Sequence, residues 1–264
     1  MKTPQSINAN IVAIVTGSTL LQCIALLGVL PIAANTLGRQ LFSTVEMSLV
    51  LLLLLQSWRI RQWSVATAQD ALVQGTARLC FISLLLCGMG DFVNRNYFEQ
   101  YYQWDAVIKH GYLIHAIWFF FPGYLLIALA NWRLGRAKVG TRAAVISMVV
   151  AGALGTLAFL DSYNPHVSPY ASSAMWLYTL LHAVLAVSAL WLIKTYGWSA
   201  SCVVVIGIVL APVADVLIAQ FWIYQDHFPL IEHVNWIIYF SSLAMIQQLP
   251  FLVAGAAHHP GRPA

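Results

Sequence analysis

The sequence predicts an all-α, polytopic membrane protein with eight transmembrane helices, and three observations lead there. Of 264 residues 60% are hydrophobic and 8% charged, where an ordinary soluble domain is about a quarter charged. Mean hydropathy is +0.76. Apolar runs of about 20 residues, the length of helix that crosses a bilayer, recur along the whole chain.

The first run, 11–34, follows one lysine, Lys2, and is longer than a signal-peptide core of roughly 7–15 residues, so it reads as a retained helix. The second, 41–57, carries Glu46 and stops before Arg59 and Arg61. The third, 71–94, ends in Gly88, Gly90, Asp91 and Asn94. The fourth, 107–130, opens with His110 and His115, five apart and so pointing in different directions. The fifth, 143–162, closes on Asp161 in LDSYNPH, where a turn or capping role is expected. The sixth, 173–195, places Tyr178 and His182 four apart on one face. The seventh, 199–224, holds Pro212 and Asp215, with the proline expected to kink it and free a carbonyl. The eighth, 232–254, opens at His233. Connections are short, so residues 1–264 form a single membrane domain with halves at about 11–130 and 143–254 and a flexible tail at 255–264.

Basic residues orient the bundle. With eight spans, Lys2, Arg59, Arg61, Arg133, Arg136, Lys138, Arg142, Lys194 and Arg262 share one side, against Arg39, Arg95 and Lys109 on the other. Nine against three puts both termini in the cytoplasm. Tyr97, Tyr101, Tyr102, Trp104, Tyr163, Tyr170, Trp222 and Tyr224 then form an outer aromatic belt, and Glu46, Asp91, His115, Asp161, His182, Asp215 and His233 lie in the outer half. Polar groups gathered at one depth read as the lining of a cavity. Four plus four helices imply a parallel repeat about an axis normal to the membrane.

Asp91 and Asp215 carry the functional argument. A carboxylate at bilayer depth costs several kcal/mol unless neutral, paired or hydrated. Each is followed by a histidine opening the next segment, His110 after 19 residues and His233 after 18. For Asp91 an ion pair with Arg95, one turn on, is the alternative to a functional role. Asp215 has only apolar neighbours at one turn (Ala211, Pro212, Ile218, Ala219), so it meets a partner from another helix or stays protonated. His110 and His233 lie near the interface, where hydration is the simple reading. The four cysteines, all within apolar runs and without CxxC spacing, read as packing residues. No nucleic-acid, metal, phosphate-loop or dinucleotide signature is present, so neither cofactor nor metal is expected.

Gly90-Asp91 in segment three, His115-Ala-Ile-Trp118 in segment four, WLYTLLHAVLAVSAL in segment six and Ala214-Asp215 in segment seven together resemble the YhhN family of eight-helix membrane proteins, which includes the lysoplasmalogenases. Three positions depart from the family pattern: Trp118 stands where a tyrosine is usual, Ala214 replaces a serine, and Asn94 lies where the family is leucine-rich. The resemblance implies a hydrolase that cleaves the vinyl ether bond of a lysolipid to a fatty aldehyde and a glycerophospho-base, in a bacterial inner membrane. Such hydrolysis needs one carboxylic acid to protonate the alkene and one carboxylate to stabilise the cation and orient water, the division of labour glycosidases use. Asp215 is the candidate acid and Asp91 the candidate anion; His115, Tyr178, Glu46, His182, Asn94 and His233 are the supporting candidates, with His115 expected to hold an aspartate or the headgroup. A proton-coupled transporter and a non-catalytic lipid-binding protein are the rival classes.

Overall fold

The computed structural model describes residues 3–30, 32, 36–67, 70–95, 111–163, 165, 168–218 and 231–257. The helices are α1 (Pro4–Leu26), α2 (Leu37–Thr67), α3 (Ala71–Asn94), α4 (Gly111–Val139), α5 (Thr141–Asp161), α6 (Pro169–Tyr196), α7 (Trp198–Ile218), α8 (Ile231–Ile246) and α9 (Leu249–Ala257). Among the described residues eight spans are long and apolar enough to cross a membrane, the last running through α8 and α9. This is the pattern of a multi-pass integral membrane protein. His110, most of the expected aromatic belt (Tyr97, Tyr101, Tyr102, Trp104, Trp222, Tyr224), Lys2, Lys109 and Arg262 lie outside the described residues; Tyr163 and Tyr170 are exposed.

Local chemistry sets the helix ends. Thr3, Asp70 and Ser168 each accept a backbone N–H of the first turn, from Ser6, Leu72 and Ala171. Pro4 and Pro169 follow two of these caps at positions that need no N–H donor. The α4–α5 and α6–α7 connections are single glycines, Gly140 (φ 80°) and Gly197 (φ 77°), a backbone conformation that other residues adopt only with strain. Two helix reversals are therefore made without a loop. α1 begins and ends earlier than the apolar run, and α2 continues to Thr67 because its last turns keep an interior face at Ile60 and Ser64.

The principal contacts close a ring: α1 on α2, α2 on α3, α3 on α4, α4 on α6, α6 on α7, α7 on α8, and α8 back on α1. α5 sits outside the ring against α6 and, more lightly, α4. It buries only small residues there, Ala144, Ala151 and Gly155, and turns Val149, Leu157 and Leu160 outward. The ring interior is filled by Leu84, Tyr124, Ile127, Leu185, Ile208 and Phe240, all essentially inaccessible. The eighth span is broken rather than continuous. Pro250 has no N–H for the Ile246 carbonyl, and α9 restarts at Leu249 to pack against α3 and α7.

Candidate functional site

Two polar clusters occupy the same end of the ring, opposite Gly140 and Gly197, and an aromatic bridge joins them.

The first cluster is built on α1, α2, α3 and α8. Asp91 is buried, and Tyr239 on α8 donates its hydroxyl to Oδ2 at 2.9 Å. The ion pair that sequence spacing suggested for Asp91 is replaced by longer-range partners. Arg95 reaches Glu46 Oε2 at 2.7 Å and Glu232 Oε1 at 3.4 Å, and its guanidinium lies 4.3 Å from the centre of the Trp236 ring. Arg39 pairs with the same Glu232 oxygen. Glu46, fully buried, also accepts from Gln22 Nε2 at 2.6 Å. Gln22 Oε1 then faces His233 Nδ1 at 2.6 Å, which makes Nδ1 the protonated nitrogen of that ring. His233 is thus a buried member of a network, not a hydrated interfacial residue; Phe42 meets it edge-on.

The second cluster joins α6 to α7. Tyr178 donates its hydroxyl to Asp215 Oδ2 at 3.0 Å, and His182 Nε2 lies 2.8 Å from the same oxygen. His182 Nδ1 faces the Tyr178 carbonyl at 3.0 Å. Since a carbonyl only accepts, Nδ1 carries a hydrogen. Nε2 then lies within ion-pair distance of the Asp215 carboxyl oxygen, without the alignment of a straight hydrogen bond. About one turn before Asp215, α7 continues through Pro212, whose missing N–H leaves the Ile208 carbonyl without its helical donor.

Close packing of α3 and α4 brings the clusters together. A Cβ on Gly123 would come within 2.9 Å of Cys87 Sγ, and one on Gly90 within 2.9 Å of the Phe120 ring. Phe120 in turn meets Tyr239 edge-on, with ring centres 5.9 Å apart. Next to Gly123, Tyr124 contacts Tyr178 (6.3 Å between centres) and His182 (5.3 Å). The charges of Asp91 and Asp215 act on each other, on Cys87 and on the Tyr124 hydroxyl.

Tyr178 and His182, expected to share a face of α6, lie in contact there, while His110, which follows Asp91 along the chain, lies outside the described residues. His182 is against Asp215, and His233 is against Gln22. His115 is exposed on α4, so the expectation that it enters the bundle to hold an aspartate gives way to His182 in that place. One turn on from His115, Trp118 donates its indole N–H to the Tyr170 hydroxyl at 2.7 Å, tying the exposed ends of α4 and α6. Asn94 is half-buried, with its Oδ1 enclosed and unpartnered among the described residues. Asp161 is exposed at the end of α5.

Sequence reasoning missed Tyr124, Tyr239, Gln22 and Glu232. Glu232 was legible as a charge at a helix start; the tyrosines and glutamine carried no signal that separates them from packing. Missed too was a second polar tier towards the Gly140 end. There Ser57 donates to Gln247 Oε1 (2.6 Å), Gln247 Nε2 to the Cys80 carbonyl (3.3 Å), and Asn131 to Ser188 (2.8 Å). The buried polar groups consequently occupy more than the single depth that sequence reasoning expected. Cys80 and Cys87 are buried and unbridged, as packing residues are. Among the described residues no group of three or more His, Cys, Asp or Glu side chains is placed to hold a metal ion.

No family model matches the chain, and no curated protein and no solved structure matches it.

Proposed function

We propose that the protein is a membrane-embedded hydrolase that cleaves the vinyl ether bond of lysoplasmalogen-type lipids. One observation carries the reading: two aspartates on different helices, within electrostatic reach of each other, sit in unlike environments. Asp215 accepts from Tyr178 and has the His182 imidazole against it, whereas Asp91 accepts from Tyr239 in the neighbourhood of Arg95 and Glu46. Unlike environments for two carboxyls are what acid–base chemistry on an enol ether needs.

In this mechanism Asp215 gives its proton to the alkene carbon distal to oxygen, leaving an oxocarbenium ion that the Asp91 carboxylate stabilises. Water adds to the carbon bearing the ether oxygen, and its proton passes to Asp91. The hemiacetal then collapses: Asp91 protonates the departing glycerol oxygen, the hemiacetal hydroxyl returns its proton to Asp215, and the aldehyde leaves. The sum is vinyl ether plus water to aldehyde plus alcohol, with both carboxyls restored. His182 and Tyr178 hold Asp215 in place and keep a proton at hand; Tyr239 does the positioning for Asp91. The decisive experiment mixes purified protein in detergent with lysoplasmalogen and assays the aldehyde. Absence of turnover across headgroups overturns the proposal.

The nine-to-three basic asymmetry supports an orientation with both ends of this chain on the cytoplasmic side. Side-by-side packing of consecutive helices in each half (α1 to α4, α5 to α8) supports a parallel repeat. Accessibility of cysteines introduced beside the Gly140 and Gly197 turns, at the exposed Lys138 and Ser199, tests the orientation.

Proton-coupled transport is the second reading, favoured by the break in the eighth span and the buried Ser57–Gln247 tier beyond the aspartates. Flux into liposomes without aldehyde release would select it.

A further inference from the structure

Tyr124 has a side chain with no solvent exposure, yet its hydroxyl has no hydrogen-bond partner among the described residues. A phenol can both donate and accept, and enclosing one without a partner is destabilising. A phenylalanine would fill the same space without that cost, so the hydroxyl needs another reason to be there.

Its position supplies one. The backbone at Gly123 is pressed against Cys87 of α3, one helical turn before Asp91. The Tyr124 ring meets Tyr178 and His182, the two residues that hold Asp215. The hydroxyl therefore sits between the two aspartate clusters, within electrostatic reach of Asp215, Cys87 and Asp91. Both carboxyls already have a tyrosine donor of their own, Tyr178 and Tyr239. Tyr124 is the third tyrosine of the group and the one with a hydroxyl to spare.

We infer that Tyr124 is a ligand-binding residue whose hydroxyl donates a hydrogen bond to an ether oxygen of an amphiphile seated between Asp91 and Asp215. The inference rests on the reading that these aspartates form one lipid site, and it names the group that recognises the oxygen next to the reacting carbons. A donor at that oxygen aligns the alkene against Asp215. It fits an alkyl or alkenyl ether and offers nothing to a plain hydrocarbon chain.

The test uses the purified full chain and a saturated 1-alkyl lysophospholipid, which has the ether oxygen but no alkene to protonate. Binding is then read without turnover. Tyr124→Phe is expected to melt at or above the wild-type temperature and to bind this ether about five- to twenty-fold more weakly, the loss of one buried hydrogen bond. A lysolipid with a methylene in place of the ether oxygen is expected to lose as much affinity for wild type, with no further loss on Tyr124→Phe. That ligand-side comparison also serves if the variant does not fold. Equal affinity of wild type for the ether and methylene lipids overturns the inference. So does a variant that melts lower but binds normally, since that is packing alone, and so does a wild type that binds neither lipid saturably. Tight, Tyr124-dependent ether binding without aldehyde release from the vinyl ether leaves the inference standing and removes the hydrolase.

Discussion

Arg95 Nη1 lies 2.7 Å from Glu46 Oε2, joining the end of α3 to the first half of α2, with both side chains largely withdrawn from solvent. The nearer acid in sequence, Asp91, is thereby left to Tyr239. An arginine one turn from an aspartate invites a local pair, but the ring geometry presents Arg95 with two glutamates from other helices and an indole face. Asp91 makes no direct ion pair with Arg95, although the guanidinium charge still acts on it.

Breaking that pair on one side strands a buried charge, at a cost of about 3–5 kcal/mol. Glu46→Leu and Arg95→Met are each expected to lower the melting temperature in detergent clearly. The double variant is expected to recover part of the loss, because the two buried charges go together, while Gln22 loses its acceptor and Glu232 one of its cations. Arg95→Met should be the worse single change, since among the described residues Glu232 then keeps Arg39 alone as an ion-pair partner. Single variants that melt like wild type would show that the pair contributes nothing to stability.

Asp91→Asn and Asp215→Asn are each expected to abolish aldehyde release while leaving a folded, membrane-inserted protein. Asparagine keeps the shape and removes the titration. Tyr239→Phe and Tyr178→Phe should retain activity reduced about ten- to a hundred-fold, as expected for removing one hydrogen bond from a group that still reacts. If both asparagine variants keep wild-type rates on every lysolipid tried, the two-carboxyl mechanism is wrong.

Much of the fold was legible because apolar length reports membrane spans directly; the run 71–94 coincides with α3. The break before α9 was signalled only by Pro250, which a hydropathy count passes over. Asp91 and Asp215 stood out because a charge within an apolar run is rare. Their partners did not, because which helix faces which is decided by three-dimensional packing. α4 touches α6 rather than chiefly α5, and so Tyr124 meets His182. Spacing along the chain pointed to His110 and His233 instead.

His182 takes the role first expected of His115. His182→Gln keeps a polar side chain but removes the imidazole between the Tyr178 carbonyl and Asp215. Aldehyde release is expected to fall about ten- to a hundred-fold, the size of one lost hydrogen bond to the acid. His115→Ala, on an exposed position, should lose far less. The reverse order of effects, measured at saturating substrate, would return His115 to the site and remove His182 from it.

Gln247 separates the two functional classes. It lies buried at the break of the eighth span, accepting from Ser57 and donating to the Cys80 carbonyl. Gln247→Leu fills the volume but leaves the Ser57 hydroxyl without its acceptor, at a cost of roughly 1–3 kcal/mol in stability. Adding Ser57→Ala removes the stranded hydroxyl, so the pair of changes should cost less than their sum. For a hydrolase whose chemistry sits at Asp91 and Asp215, both variants are expected to turn over normally once folded. For a transporter, a leucine at a polar break in the span obstructs the path, and flux falls even at temperatures where the protein is fully folded. Normal aldehyde release from a Gln247→Leu protein with a lowered melting temperature is the outcome the hydrolase reading requires; a variant that folds stably yet loses all function would move the active path to this end of the bundle.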